Sequence, residues 1–382
     1  QAGIVVTTGS DNTLIGDGAG DALTTGTNNV ALGSAALSAE DTRSDSIAIG
    51  YRALTAQNAD TANAYNVAIG TDAALSLTTG NRNVYVGALS GDANVTGDGN
   101  TAIGHNTLTT NTHSENNVAV GYEALKTFNI TTGSGFNTAV GSVAGTALTT
   151  GTNNTLIGGS AGTAMTTATG VTAVGKASAG ALTTGGDNVA IGYQALKTAT
   201  TGTGNVAVGK DALEATTTAS NNTAVGLKAL EANTTGAENV AVGRLSLQAN
   251  TTGATNTALG AVSLFANTTG SSNVAVGENC LQGNTTASNN TGVGRQALAL
   301  NTTGANNTAI GTTALYANTT AADNTAAGFA ALISNTTGAN NAAFGSGALA
   351  NNTTADDNTA VGRQALLSNT TGTANDAFGK AT

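Results

Sequence analysis

Few side chains in this sequence can do chemistry. The 382-residue chain holds two histidines, His105 and His113, and one cysteine, Cys280. Neither histidine has a His or Cys partner at metal-binding spacing. Both fall in segments that read as surface turns. Cys280 stands just before Leu281, where comparable segments carry Ala or Ser, so it reads as a small-residue substitution. A lone cysteine forms no internal disulfide, and no histidine near it in sequence would activate it. Gly16-Asp-Gly-Ala-Gly-Asp21, Ser90-Gly-Asp-Ala and Thr96-Gly-Asp-Gly share some character with calcium-binding nonapeptides. Stacked calcium sites need Asp at a constant offset, and Asp17, Asp21, Asp92 and Asp98 do not recur at one. Phosphate-binding glycine loops lack their strand–loop–helix context. No catalytic residue, metal or cofactor is expected, and the chain is read as a non-enzyme.

What must position these residues is set by composition. Charged residues make up 9%, against about 25% in ordinary domains, and aromatics 3%. There are 52 Gly, no Pro and no Trp. A chain of small residues can bury only a thin core between closely spaced backbones. Disordered chains are usually charged and Pro-rich, and this one is neither. No apolar run is long enough to span a bilayer. The net charge of −10 offers no basic patch for nucleic acid or anionic lipid. The opening Gln1-Ala-Gly-Ile lacks the pattern of a signal peptide.

A repeat organises the chain. Asn222-Thr-Ala-Val-Gly226 recurs as Asn239-Val-Ala-Val-Gly243 and Asn256-Thr-Ala-Leu-Gly260. Starts fall at 12, 29, 46, 66, 83, 100, 117, 137, 154, 171, 188 and then every 17 residues to 375. Nineteen of the 21 intervals are 17; the repeats at 46–65 and 117–136 have 20. The consensus is N-[TV]-A-[VIL]-G-x-x-A-L-x-x-N-T-T-G-x-x. Its fifth position is Gly in all 22 repeats, including Gly16, Gly33, Gly50, Gly226, Gly243, Gly260 and Gly379. These are assigned as structural turns, with positive φ or a close backbone approach. The ninth position is Leu in 15 of 21 repeats, and Gly20, Gly91, Gly145 and Gly162 are exceptions.

Each unit reads as two short strands, Thr-Ala-Val and Ala-Leu-x-x, separated by two turns. Two glycines per unit oppose helix. The expected fold is all-β: a parallel β-solenoid of about 22 coils, with identical residues stacked in ladders. Residues 1–11 read as a partial N-terminal coil and 12–382 as a single repeat domain. At ~4.8 Å per coil it would be a rod roughly 105 Å long. The extra residues of the long repeats fall within 56–65 and 127–136, where two small bulges are expected. Positions 2 and 4 share one strand face and the position-3 Ala points the other way. Either this apolar ladder or that of Leu230, Leu247, Leu264 and Leu298 lines the interior. The other forms an exposed stripe through which the chain would associate.

Asn233, Asn250, Asn267, Asn284, Asn301, Asn318, Asn335, Asn352 and Asn369 occupy the second turn, and their stacked side chains can bond along the axis. Each also starts an N-x-T sequon, a candidate glycosylation site. Eight of the 12 basic residues (Arg52, Lys176, Lys210, Lys228, Arg244, Arg295, Arg363, Lys380) follow the repeat Gly by one or two positions. That places the turn in solvent.

Ser46-Ile-Ala-Ile-Gly50 with Ala53-Leu54 resembles the head repeats of trimeric autotransporter adhesins. Residues 222–236 resemble repeats of phage tail fibres. The resemblance covers nearly the whole chain. It implies a left-handed β-roll, often trimeric, at a cell or virion surface. The expected function is therefore a structural, self-associating subunit of an extracellular fibre, with an adhesive role or a trimeric form open. An ice-binding or surface-ligand solenoid is the alternative. The eight residues from Asn375 and the eleven before Asn12 add to about one coil. Two readings of this stay open: head-to-tail stacking of copies, and a piece of a longer array.

Overall fold

The computed structural model describes residues 1–58 and 63–380. Their regular structure is twenty-two strands of three residues and no helix. The fold is a parallel β-solenoid with one coil per repeat. The chain divides into two compact units, Gln1–Asn188 and Val189–Thr382. The first carries β1 (Thr13–Ile15) to β10 (Thr172–Val174), and the second β11 (Val189–Ile191) to β22 (Asp376–Phe378).

Within each unit consecutive strands pair in parallel and in register, so each repeat position becomes a column. Ala207 lies opposite Ala224, and Ala224 opposite Ala241. The repeat Gly ends every strand, and it satisfies both requirements read from the sequence. Gly260 has φ +133°, and a Cβ there would lie 2.7 Å from the carbonyl carbon and oxygen of Gly277 in the next coil. Only a residue without a side chain combines that φ with that approach.

The remainder of the coil corrects one expectation. Ala-Leu-x-x is not a second strand. Residues at positions 7 and 9 adopt the left-handed conformation, as at Lys228 (φ 57°) and Leu230 (φ 52°), and even Val262 does so (φ 60°). Alternation with residues of negative φ makes a run of turns instead of an extended strand. The backbone still bonds between coils: Leu230 N–H donates to Ser246 O at 3.1 Å and Ala232 N–H to Gln248 O at 3.0 Å. Such non-glycine conformations cost roughly 1–2 kcal/mol per residue, which the stacked hydrogen bonds and the buried Leu must offset.

The interior question is also decided. Ala224, Ala229 and Leu230 are fully buried, as are their equivalents in the columns between the end coils, whereas Leu14, Leu366 and Ala377 near the ends are half-buried. Positions 2 and 4 face outward. Interior volume is conserved by exchange between columns. Where position 9 is Gly, a larger neighbour takes the space: Leu14 against Gly20, Tyr85 against Gly91, Leu156 and Met165 against Gly162. Cys280 follows the same rule, since its Sγ lies only 2.5 Å from where a Cβ on Gly292 would be. Close packing explains the trade, because one methylene too many or too few is felt.

Residues 7–9 join the turn ladder, with Thr7 N–H donating to Thr24 O at 2.9 Å. In the second long coil the extra residues emerge as an exposed loop at 131–133. Part of the first, 59–62, lies outside the described residues.

Candidate functional site

Parallel pairing projects positions 2 and 4 of every coil outward as two columns. In the second unit, position 4 reads Ile191, Val208, Val225, Val242, Leu259, Val276, Val293, Ile310, Ala327, Phe344, Val361 and Phe378. These side chains are half-buried or exposed, with Ile310 47% and Phe344 44% accessible. Position 2 mixes Val and Thr at intermediate burial, with Thr291, Thr308 and Thr325 consecutive, and ends in Ala342, Thr359 and an exposed Asp376. A contiguous apolar surface of this extent marks a contact face.

The face has two chemically different borders. Position 6, beyond the repeat Gly, carries exposed Lys210, Arg244, Arg295, Arg363 and Lys380, with one acid, Glu278, held 3.4 Å from Arg295. Position 17, before the strand, carries exposed Glu238, Asp323 and Asp357 and no base in this unit. In the first unit position 6 is more aromatic: Tyr51 lies under the Arg52 guanidinium at 5.1 Å, and His105 stacks on Tyr122 at 5.8 Å.

Buried asparagine ladders hold each coil behind this face. The position-1 Asn closes its own coil and ties it to the next. Asn256 Nδ2 donates to Gly270 O at 2.8 Å, and its Oδ1 accepts from Asn273 N–H at 3.0 Å. The turn Asn residues form a second ladder: Asn250 Nδ2 donates to Asn233 Oδ1 and to Gly253 O, both at 2.9 Å. Eight of the nine candidate glycosylation residues, Asn233 to Asn352, are fully buried, and only Asn369 is partly accessible. Sequence reasoning identified the turn ladder and missed the position-1 ladder, although 20 of 22 repeats start with Asn.

The remaining candidates do not converge. His113 Nδ1 is 2.7 Å from Thr112 Oγ1. Asp17 binds the N-terminal ammonium at 2.8 Å, and Asp98 accepts from Asn81 N–H at 2.7 Å. Burial pushes the Asp92 carboxyl up. The Cys280 thiol is buried and pushed up to about 12 by desolvation, which leaves it a poor nucleophile.

Among the described residues, three such groups meet only at Asp211, Glu214 and Glu231, with oxygens within 4.8 Å. Lys228 lies 2.7 Å from Glu231, Lys197 3.2 Å from Glu214 and Lys210 3.8 Å from Asp211. Three lysines against three carboxylates make this a balanced ion network.

A buried polar network surrounds the first long coil. Arg43 takes the turn-Gly place, Glu40 the turn-Asn place and Ser46 the first-Asn place, and all three are fully buried. Gln57 Nε2 donates to Glu40 Oε2 at 2.7 Å and to Ser46 Oγ at 2.8 Å, while the Arg43 guanidinium reaches Thr78 O at 3.3 Å. Desolvation raises the Glu40 pKa and lowers that of Arg43.

No protein-family model matches the chain, and a search of curated proteins returns no match. The outward strand face is therefore the feature on which a functional reading stands.

Proposed function

We propose that the chain is a structural subunit of an extracellular fibre, assembling with itself through the outward strand face. The observation that carries this is the position-4 column, apolar in all twelve coils of the second unit and accessible in the single chain. Buried asparagine ladders and the absence of a converging catalytic group among the described residues support a scaffold role. Surface placement follows from the resemblance to adhesin heads and tail fibres.

The test replaces Val225, Val240 and Val274 by Asp on this face. These side chains point away from the interior, so the coil should still fold. Sedimentation and negative-stain imaging should show wild-type assemblies and a dispersed triple variant. A folded variant that assembles like wild type would remove the face from the contact.

The second reading, an ice- or surface-binding solenoid, is favoured by the outward Thr291, Thr308 and Thr325. Val interrupts the same column at Val240 and Val274. Thermal hysteresis in a dilute solution of the protein would establish this reading in place of the first.

A further inference from the structure

The two borders of the face carry information about how a second copy would sit on it. Position 17 and position 6 stand at equal sequence distance on either side of the position-3 Ala. On the strand Val240–Val242 they are Glu238 and Arg244, and on Thr359–Val361 they are Asp357 and Arg363. All four are exposed. Among the described residues none of the four has an ion-pair partner. Each of these two strands thus has an acid at one end and a base at the other, with Val240 and Val242, or Thr359 and Val361, facing outward between them.

Two sheet faces can meet about a two-fold axis in two simple ways. An axis running along the solenoid keeps the coil direction and reverses the strand direction. Acidic border then meets basic border, and coil meets like coil. An axis running along the strands does the opposite: acid meets acid and base meets base. Like charges set against each other at an interface oppose association.

We infer that the second unit pairs face to face with another copy, coil axes parallel, about a two-fold axis passing over the position-3 Ala column. This rests on the reading of that face as a self-contact. In this arrangement Glu238 of one copy faces Arg244 of the partner and the reverse, and Asp357 and Arg363 do the same. The position-4 column of each copy lies on the position-2 column of the other, covering the accessible side chains of both. Three residues by twelve strands give roughly 600 Å² of strand face per copy. With the flanking columns this approaches the ~800 Å² per partner of a standard interface.

The experiment combines association constants with label distances on the full chain. Arg244→Glu with Arg363→Glu should weaken association at least tenfold at low salt. Adding Glu238→Arg and Asp357→Arg, which exchanges the borders, should restore it. Single nitroxides at Thr235→Cys, Thr286→Cys or Thr337→Cys occupy one exposed column three coils apart, and buried Cys280 stays unlabelled. Parallel pairing predicts one label-to-label distance for all three sites. Antiparallel pairing displaces each site from its copy by a different axial amount, in steps of about 29 Å.

Unequal distances, or no restoration in the exchanged variant, would overturn the parallel pair while leaving self-contact intact. A trimer in sedimentation would also overturn it. A chain that stays monomeric at every concentration would overturn the self-contact itself.

Discussion

Exchange of volume between columns makes a quantitative prediction at one coil. Tyr85 occupies the position-3 place, where most coils have Ala, and fills the space left by Gly91 at position 9. A Cβ on Gly91 would overlap the Tyr85 ring. Tyr85 is fully buried, and its hydroxyl accepts from Asn94 Nδ2 at 2.5 Å. Tyr85→Ala alone should cost about 3–5 kcal/mol, as for large aromatic truncations that leave a cavity. Gly91→Leu alone should cost about 1–3 kcal/mol or more through overpacking. The backbone is no obstacle, because Gly91 has φ 59° and the Leu at the same place in the next coil, Leu108, has φ 49°. The double variant rebuilds the consensus pair and should be within about 1 kcal/mol of wild type. The coupling energy is then at least ~3 kcal/mol, well beyond what independent sites show. Repeat arrays can unfold in parts, so local stability should be read by amide hydrogen exchange in residues 83–116, with guanidinium unfolding beside it. If the double variant is as unstable as the sum of the two, columns 3 and 9 do not share one interior space.

Three further outcomes follow from the geometry. Gly260→Ala should lose more than about 3 kcal/mol by urea unfolding, from a strained φ plus a backbone clash. Gly133→Ala, whose Cβ would meet nothing within 4 Å, should lose about 1 kcal/mol at most. Asn256→Ala strands the Asn273 N–H and should cost about 3 kcal/mol, from one orphaned donor and the lost bonds. Exchange should accelerate first at Asn273. Asp92 has one buried carboxylate oxygen without a partner, and its raised pKa means the folded chain keeps that proton longer than the unfolded chain. Its contribution to stability is therefore full below the ordinary carboxylate range and is lost as pH rises through the raised value. Asp92→Asn should stabilise at neutral pH, and the gain should vanish in acid melts.

Legibility of the fold in the sequence varied by element. The period, the parallel ladders, the Gly corners and the strand at positions 2–4 could be read because each depends on residue type alone. The second strand could not. Leu230, Lys228 and Val262 have no intrinsic preference for the left-handed region, and it is stacking on neighbouring coils that holds them there. The choice between the two apolar ladders also needed the coil path, which places Leu230 beside Ala224 and leaves Val225 outside. The first-position Asn was visible as a pattern and lacked a reason, because its acceptor, fourteen residues on, is brought near only when the coil closes. The charge borders are half visible in the sequence: the basic residues after Gly recur at a fixed position, while their acidic counterparts across the strand need the column arrangement to be seen as opposite.

The in-register columns have an evolutionary corollary. Strand residues find their partners 17 residues away, as Thr223 does with Val240, or 20 away across the two long coils, as Ile47 does with Val67. That separation is roughly a twentieth of the chain, shorter in relative terms than in many helical bundles, so this all-β protein should fold without the delay that distant pairings impose. The same spacing makes length adjustable. Excising residues 223–239 joins Asn222 to Val240 and leaves Asn-Val-Ala-Val-Gly, a complete strand and corner, with each column one member shorter. Unequal recombination between such repeats would add or remove whole coils without creating a mismatched junction, and the number of coils becomes a quantity that selection can set independently of the structure of any one of them.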